Sequence, residues 1–230
     1  KTNLVCTMSI NNETGIINDI SSIHEICYKQ NVPLLVDATQ SVGKISTNLI
    51  NTPCEFMVFS SHKFYGPKGV GITYIKRDFK NKVNPILHGG GHQNGLRSGT
   101  LNTFGIFGLF AAYEKYNDVD LITKNYNKVK FLKDKMIENL SKIKNFEING
   151  DVSKNYSPFI LNFRIKDIDS DALIINLKDK LCIATGSACT SKDVSASHVL
   201  SEIYDDKRAY ESVRISFSHE NTEDEIDYAS

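Results

Sequence analysis

Phe56-Met57-Val58-Phe59-Ser60-Ser61-His62-Lys63-Phe64-Tyr65-Gly66-Pro67-Lys68-Gly69-Val70-Gly71 begins as an uninterrupted apolar run, stops at a hydroxyl, and continues through a lysine into a glycine-rich turn. An apolar run without polar alternation is the pattern of a strand buried on both faces. Val70 to Ile75 reads as a further strand. The lysine falls just beyond the end of the first strand, where open α/β sheets place their ligands. A lysine amine there can form a Schiff base once desolvation lowers its pKa. Taken alone, the same residues also make a hairpin with exposed lysines. A P-loop is less well supported, because G-x-x-x-x-G-K-[ST] is absent.

Working outward, Leu34-Leu35-Val36 is a second short apolar run, ending at Asp37, and Leu4 to Ile10 is a third. Between them Asp19 can cap a helix whose apolar positions Ile20, Ile23, Ile26 and Cys27 recur at helical spacing. Continuous apolar strands alternating with helices predict an α/β fold with the sheet covered on both faces. The pattern changes near Leu121. Ile122, Tyr126, Val129, Leu132, Met136, Leu140 and Ile143 predict one long amphipathic helix with a lysine-rich outer face. Phe159 to Ile165 and Val213 to Phe217 read as strands. Asp169 or Ser170 can cap a helix carrying Leu173, Ile174 and Leu177.

The 230 residues suffice to bury a substantial core in one large domain or two modest ones. Lys plus Arg equals Asp plus Glu at 27 each, so net charge points to neither nucleic acid nor an anionic membrane. No apolar run approaches the roughly 18 residues needed to span a bilayer. The five cysteines (Cys6, Cys27, Cys54, Cys182, Cys189) are odd in number and form no C-x-x-C pair. That argues against a disulfide framework and for a reducing compartment. Thr222-Glu223-Asp224-Glu225 is a capping box opening a helix that stops about two turns later. With a strand at the very start, this predicts truncation at both ends.

Several positions carry candidate chemistry. A buried carboxylate at a strand end would keep the pyridine nitrogen of pyridoxal phosphate (PLP) protonated, and Asp37 is the candidate; an ordinary helix cap is the alternative. Gln40 can reach the ring's phenolic oxygen. Ser60 and His62 can donate to the cofactor phosphate beside Lys63. Asn12, in Asn11-Asn12-Glu13-Thr14-Gly15, can bond cofactor or substrate, although that motif also makes a good turn by itself. In His88-Gly89-Gly90-Gly91-His92-Gln93-Asn94-Gly95-Leu96-Arg97-Ser98-Gly99-Thr100 the glycines suit close approach to an anion, with Arg97 and Thr100 as donors. The two histidines there have no Cys or carboxylate beside them, so no metal site is expected. Cys189, in Thr185-Gly186-Ser187-Ala188-Cys189-Thr190-Ser191, sits in a small, polar segment suited to a thiolate nucleophile; an incidental loop cysteine is the alternative. Arg214, in an otherwise apolar strand, calls for an anionic partner, either an amino-acid carboxylate or a structural ion pair.

These motifs occur together and in one order: NNETG, VDATQS, SSHKFYGPKGVG, HGGGHQNGLRSGT, TGSACTS followed by Ser197-His198-Val199-Leu200, and VRISFS. The set closely resembles the cysteine desulfurases of the class-V aminotransferase family, of the iron–sulfur cluster assembly type, over nearly the whole chain. The resemblance implies a fold-type I PLP-dependent transferase. Residues 1–120 would be the C-terminal part of the PLP-binding large domain, and 121–230 the small domain carrying the cysteine loop. Lys63 would form the Schiff base with PLP, and Asp37 would pair with the pyridinium. Gln40 and Asn12 would contact the ring oxygen and substrate region. Ser60 and His62 would bind the phosphate, and Thr100 would reach the phosphate of the partner subunit in a homodimer. Arg214 would hold the carboxylate of L-cysteine, and Cys189 would take the sulfur as a persulfide while alanine leaves. A sulfur-acceptor protein such as an iron–sulfur scaffold is the implied partner, in a bacterial cytoplasm or an organelle matrix such as the mitochondrion. The family's PLP-stacking histidine lies outside this chain. A selenocysteine lyase, an aminotransferase, or an inactive copy acting as an interaction protein are the alternatives.

Overall fold

The computed structural model describes residues 1–47, 52–150, 155–186 and 196–230. The chain divides into two compact units. The first comprises Lys1–Ser9 with Asp19–Ile122, and the second Ile10–Asn18 with Thr123–Ser230.

The first unit is built on a four-stranded sheet of β1 (Val5–Met8), β2 (Leu34–Asp37), β3 (Phe56–Ser60) and β4 (Gly71–Ile75), in that spatial order. The first three strands are parallel and β4 is antiparallel to β3. Helix α1 (Ile20–Lys29) connects β1 to β2, and Asp19 caps it by accepting the Ser22 amide. The register puts Val5, Leu34, Val36 and Met57 on one face, and Cys6, Leu35, Asp37, Phe56 and Val58 on the other. The first face is packed: Leu34, Val36 and Met57 join Ile20, Cys27 and Phe64 in the core, with Leu109 and Ala112 of α2 (Thr103–Tyr116). The second face is only half-buried, and Cys6 on it is exposed. The expectation of a sheet covered on both faces therefore holds for one face of this chain.

Helix α2 was not legible as a separate element. Its sequence is apolar nearly all round, with Gly105 and Gly108 inside, so no clear stripe marks it. Asn102 caps it, and the glycines let it approach the turn after β3, because a Cβ on Gly108 would lie 2.9 Å from Pro67 Cγ.

The second unit holds an antiparallel sheet in the order β5 (Phe146–Ile148), β6 (Ile160–Ile165), β7 (Ser212–Ser216). Long helix α3 (Val119–Leu140) crosses from the first unit into the second, and its Val129, Leu132, Met136 and Leu140 enter the core with Phe159, Leu161, Phe163 and Val213. It starts two residues before Leu121 and ends before Ile143, which follows in a turn closed by its amide on the Leu140 carbonyl. Helix α4 (Ser170–Leu177) is capped by Asp169. Helices α5 (His198–Ile203), α6 (Asp206–Tyr210) and α7 (Glu223–Ala229) complete the unit. The capping box at Thr222 is formed. Arg164 bridges Glu147 (2.8 Å) and Glu211 (2.9 Å), and Arg208 joins Glu147 at 3.0 Å. No helix among the described residues is long and apolar enough to cross a membrane.

Candidate active site

In the first unit, Asp37 and Ser60 end neighbouring parallel strands on the same half-buried face, since Asp37 pairs in register with Val58. This is the carboxyl edge of the parallel strands, the ligand-binding edge of such sheets. The Asp37 carboxylate accepts the Thr39 amide at 2.8 Å, and its backbone carbonyl accepts both the amide (2.9 Å) and the hydroxyl (3.1 Å) of Ser9. Ser9 thus fastens the strand end on the β1 side, and the Ala38 amide, donating to the Val58 carbonyl at 2.8 Å, fastens it to β3. Gln40 accepts a bond from Lys44 Nζ at 2.8 Å.

His62 and Lys63 lie in a 3-10 turn (Ser61–Phe64) directly after β3, and both side chains are exposed. The desolvation expected around Lys63 is therefore not supplied by this chain's described residues. The turn itself is tightly built. Phe64 is buried in the core, and Tyr65 adopts a left-handed conformation (φ 69°) that is costly for a non-glycine residue. A tilted ring contact between Tyr65 and Tyr116 of α2, 4.5 Å between centroids, supports it there. The Gly66 amide donates to the Ser61 carbonyl at 3.1 Å. A Cβ at position 66 would lie 2.0 Å from Ser61 Oγ and 3.1 Å from the Ser61 carbonyl, so any side chain there would have to displace the buried Ser61 hydroxyl.

Thr100 and Arg97 are exposed at the end of the glycine-rich loop. Its inner anchor is the buried Ser98, whose amide donates to the Leu87 carbonyl and whose hydroxyl accepts from the Gly91 amide.

Asn12 falls in the second unit, with Arg214. Arg214 Nη1 donates to the Asn12 carbonyl at 2.9 Å, so the two candidate substrate residues are joined. Asn11 Oδ1 accepts the amides of Glu13 and Thr14, both at 2.9 Å, and shapes the turn. Gly15 closes it at φ 80°, where a Cβ would be 3.2 Å from Tyr156 and from Ile160. Arg214 also forms a two-way backbone bridge with Ala184, 2.7 and 3.1 Å, at the foot of the segment that leads to Cys189. Cys189 itself lies outside the described residues.

The donor set of the first unit matches the functional groups of PLP: a carboxylate for a pyridinium, hydroxyl and imidazole for a phosphate, and a primary amine for an aldehyde. Three polar residues that sequence reasoning passed over are built into the interior of the second unit. Glu13 looked like a turn residue, Ser197 looked like part of a motif only, and Lys133 looked like one more lysine of an outer helix face. Lys133 is in fact buried, its Nζ 2.9 Å from the Ser157 carbonyl and 3.3 Å from the Tyr156 ring centroid. Burial pushes its ammonium down to about 7, against the pull of Asp134.

The chain also matches known proteins in sequence and in fold. Residues 1–229 match the aminotransferase class-V family. The chain is 39% identical over 226 residues to a protein named cysteine desulfurase IscS from Pectobacterium carotovorum, covering 98% of this chain and 55% of that protein. It is 40% identical over 226 residues to the protein of the same name from Buchnera aphidicola, with the same coverage of each. Among solved structures, a NifS-like protein from Rickettsia africae superposes with a TM-score of 0.87 at 30% identity, over 99% of this chain and 60% of that one. The chain spans about half the length of the curated relatives it matches. The fold is that of the NifS-like, fold-type I PLP enzymes, and the chain belongs to the class-V aminotransferase family.

Proposed function

We propose that the full-length protein is a PLP-dependent cysteine desulfurase that converts L-cysteine to L-alanine and carries the sulfur as a persulfide on Cys189. The observation that carries this reading is the placement of Asp37 and Ser60 on one half-buried face at the carboxyl edge, followed at once by Lys63 in a tight turn. Residues 1–120 would contribute to the cofactor-binding domain and 121–230 would form the small domain. PLP would supply an electron sink that prepares the substrate C–S bond for cleavage.

The protein's own groups then have these tasks. Asp37 would keep a positive charge on the ring nitrogen, and Gln40 would orient the ring oxygen. Ser60 and His62 hold the phosphate, with Thr100 reaching that of a partner subunit in a homodimer. Lys63 holds the cofactor's carbonyl carbon. Arg214 and Asn12 hold the substrate carboxylate. The Cys189 thiol would give up its proton and attack the substrate sulfur; an S–S bond forms, the C–S bond breaks with its electron pair passing to the substrate β-carbon, and that carbon takes up the proton, so alanine leaves and the persulfide stays on Cys189. An iron–sulfur scaffold or another sulfur acceptor would then take the sulfur, in a bacterial cytoplasm or organelle matrix.

The test is an absorbance spectrum of the full-length protein with PLP, followed by L-cysteine. A shifted cofactor band and stoichiometric alanine are expected. A Cys189→Ser variant should keep the cofactor band and lose persulfide. Undiminished sulfur release from that variant would show that the nucleophile is misassigned.

A further inference from the structure

Strand β6 carries an amide among apolar neighbours: Asn162, in Ile160-Leu161-Asn162-Phe163, is fully buried. Leu161 and Phe163 enter the core of the second unit. By strand alternation Asn162 stands on the opposite face of the sheet, with Ile160. A primary amide stripped of water needs partners for its donors and its acceptor. Asn162 Oδ1 accepts from Asn149 Nδ2 at 2.7 Å, and Asn162 Nδ2 donates to the Glu13 carbonyl at 3.1 Å. The groups at the two ends fix which way both amides face. Arg208 Nε, which can only donate, bonds Asn149 Oδ1 at 2.6 Å, and the Glu13 carbonyl can only accept. Asn149 Nδ2 also donates to Ser212 Oγ at 2.7 Å, and that hydroxyl donates to the Arg208 carbonyl at 2.6 Å. Asn149 and Ser212 are fully buried as well.

Asn162 is the cross-strand partner of Arg214 in the β6–β7 register. The two side chains therefore stand side by side on one sheet face. They take consecutive carbonyls of one turn: Arg214 Nη1 bonds that of Asn12 at 2.9 Å, and Asn162 bonds that of Glu13. Gly15 of the same turn lies against Ile160, where a Cβ would be 3.2 Å from Ile160 Cβ. The backbone of Arg214 is held from its other side by Ala184. An aliphatic side chain at position 162 would fill space without calling for polar partners. What the amide adds is a fixed turn beside the guanidinium.

We propose that Asn162 is a positioning residue for the substrate carboxylate: by holding the Glu13 carbonyl beside its cross-strand neighbour Arg214, it fixes the Asn12 carbonyl that orients the guanidinium. This rests on the desulfurase reading above. With the turn held, the guanidinium meets an amino-acid carboxylate already arranged, and binding does not have to order it.

The experiment uses the full-length protein and the variants Asn162→Ala, Asn162→Ser, Arg214→Ala and the Asn162→Ala/Arg214→Ala double. Loaded with PLP, each is titrated spectrally with L-cysteine and with cysteamine, which has the same amine and thiol but no carboxylate. Asn162→Ala should weaken L-cysteine binding about fivefold, the factor for one net hydrogen bond, and leave cysteamine binding unchanged. Asn162→Ser, whose hydroxyl is one bond shorter than the amide nitrogen, should lose the Glu13 carbonyl and show the same selective weakening. The double variant should bind L-cysteine no more weakly than Arg214→Ala, because Asn162 acts through Arg214. In the cofactor-free protein, hydrogen exchange at the Glu13, Thr14 and Gly15 amides should speed up about fivefold in Asn162→Ala, with the Ile226 amide of α7 unchanged. Wild-type L-cysteine affinity in Asn162→Ala, an equal loss for cysteamine, a double variant weaker than Arg214→Ala, or unchanged exchange at the three turn amides overturns the role of Asn162 alone. A parent protein whose cofactor band does not respond to L-cysteine and that makes no alanine overturns the desulfurase reading, and this role with it. Should Asn162→Ala fail to fold, Asn162→Ser carries the same comparison.

Discussion

Lys133 offers a sharp test of how the second unit is packed. The residue is 4% exposed, and burial brings its pKa from 10.5 down to about 7. The unfolded chain keeps the proton up to its ordinary value, so between about 7 and 10.5 the unfolded state binds more protons than the folded one. Stability must then rise with pH across that window. Below about 7 both states are charged, and the full cost of burial is felt. From pH 7 to pH 9 the ceiling is two pH units at about 1.4 kcal/mol each, less the half-titrated start, or roughly 2 kcal/mol. The Ser157 carbonyl and the Tyr156 ring face favour the ammonium, worth about 1 kcal/mol between them. The expected gain is therefore about 1–2 kcal/mol. Lys133→Met keeps the linear stem and removes the titration. Urea midpoints of the full-length protein and this variant should be compared at pH 6, 7, 8 and 9, using the difference so that other groups cancel. The wild type should gain on the variant as pH rises. A flat difference, or one that grows toward acid, would falsify the buried, poorly solvated amine.

Two further substitutions address the site. Gly66→Ala would force a Cβ to 2.0 Å from Ser61 Oγ, so the lysine turn should be displaced and PLP retention lost, at a stability cost of about 1–3 kcal/mol; a normal cofactor spectrum would contradict the tight turn. Arg214→Ala should raise the KM for cysteine roughly thirtyfold, the range for a charge-assisted hydrogen bond, with the cofactor band intact in a spectral titration. An unchanged KM would remove Arg214 from substrate binding.

Most of the first unit was readable because its signals are local. Asp19 and Asn102 are sound caps, and Asp169 is another, although only the first and last were picked out by pattern. The apolar runs at 34–36 and 56–59 became β2 and β3 almost as written. Helix α2 escaped because an all-round apolar helix with two glycines has no polar face to set its period. The antiparallel direction of β4 also escaped, since a strand's pattern does not carry its direction.

Motif order alone sufficed to assign the chain to its family, because a lysine turn, a carboxylate at a strand end and an arginine in an apolar strand are each set by neighbours within a few residues. What the linear chain could not supply was every relationship that depends on residues far apart. Asn12 meets Arg214 across 202 positions, and Glu13 meets Ser197 across 184. Lys133 is stripped of water by a tyrosine 23 positions on, although its helix reads as solvent-facing. Such contacts arise only when folding closes long stretches of chain around a shared core. The same burial that creates them decides whether a polar side chain is a bystander or a fixed part of the site.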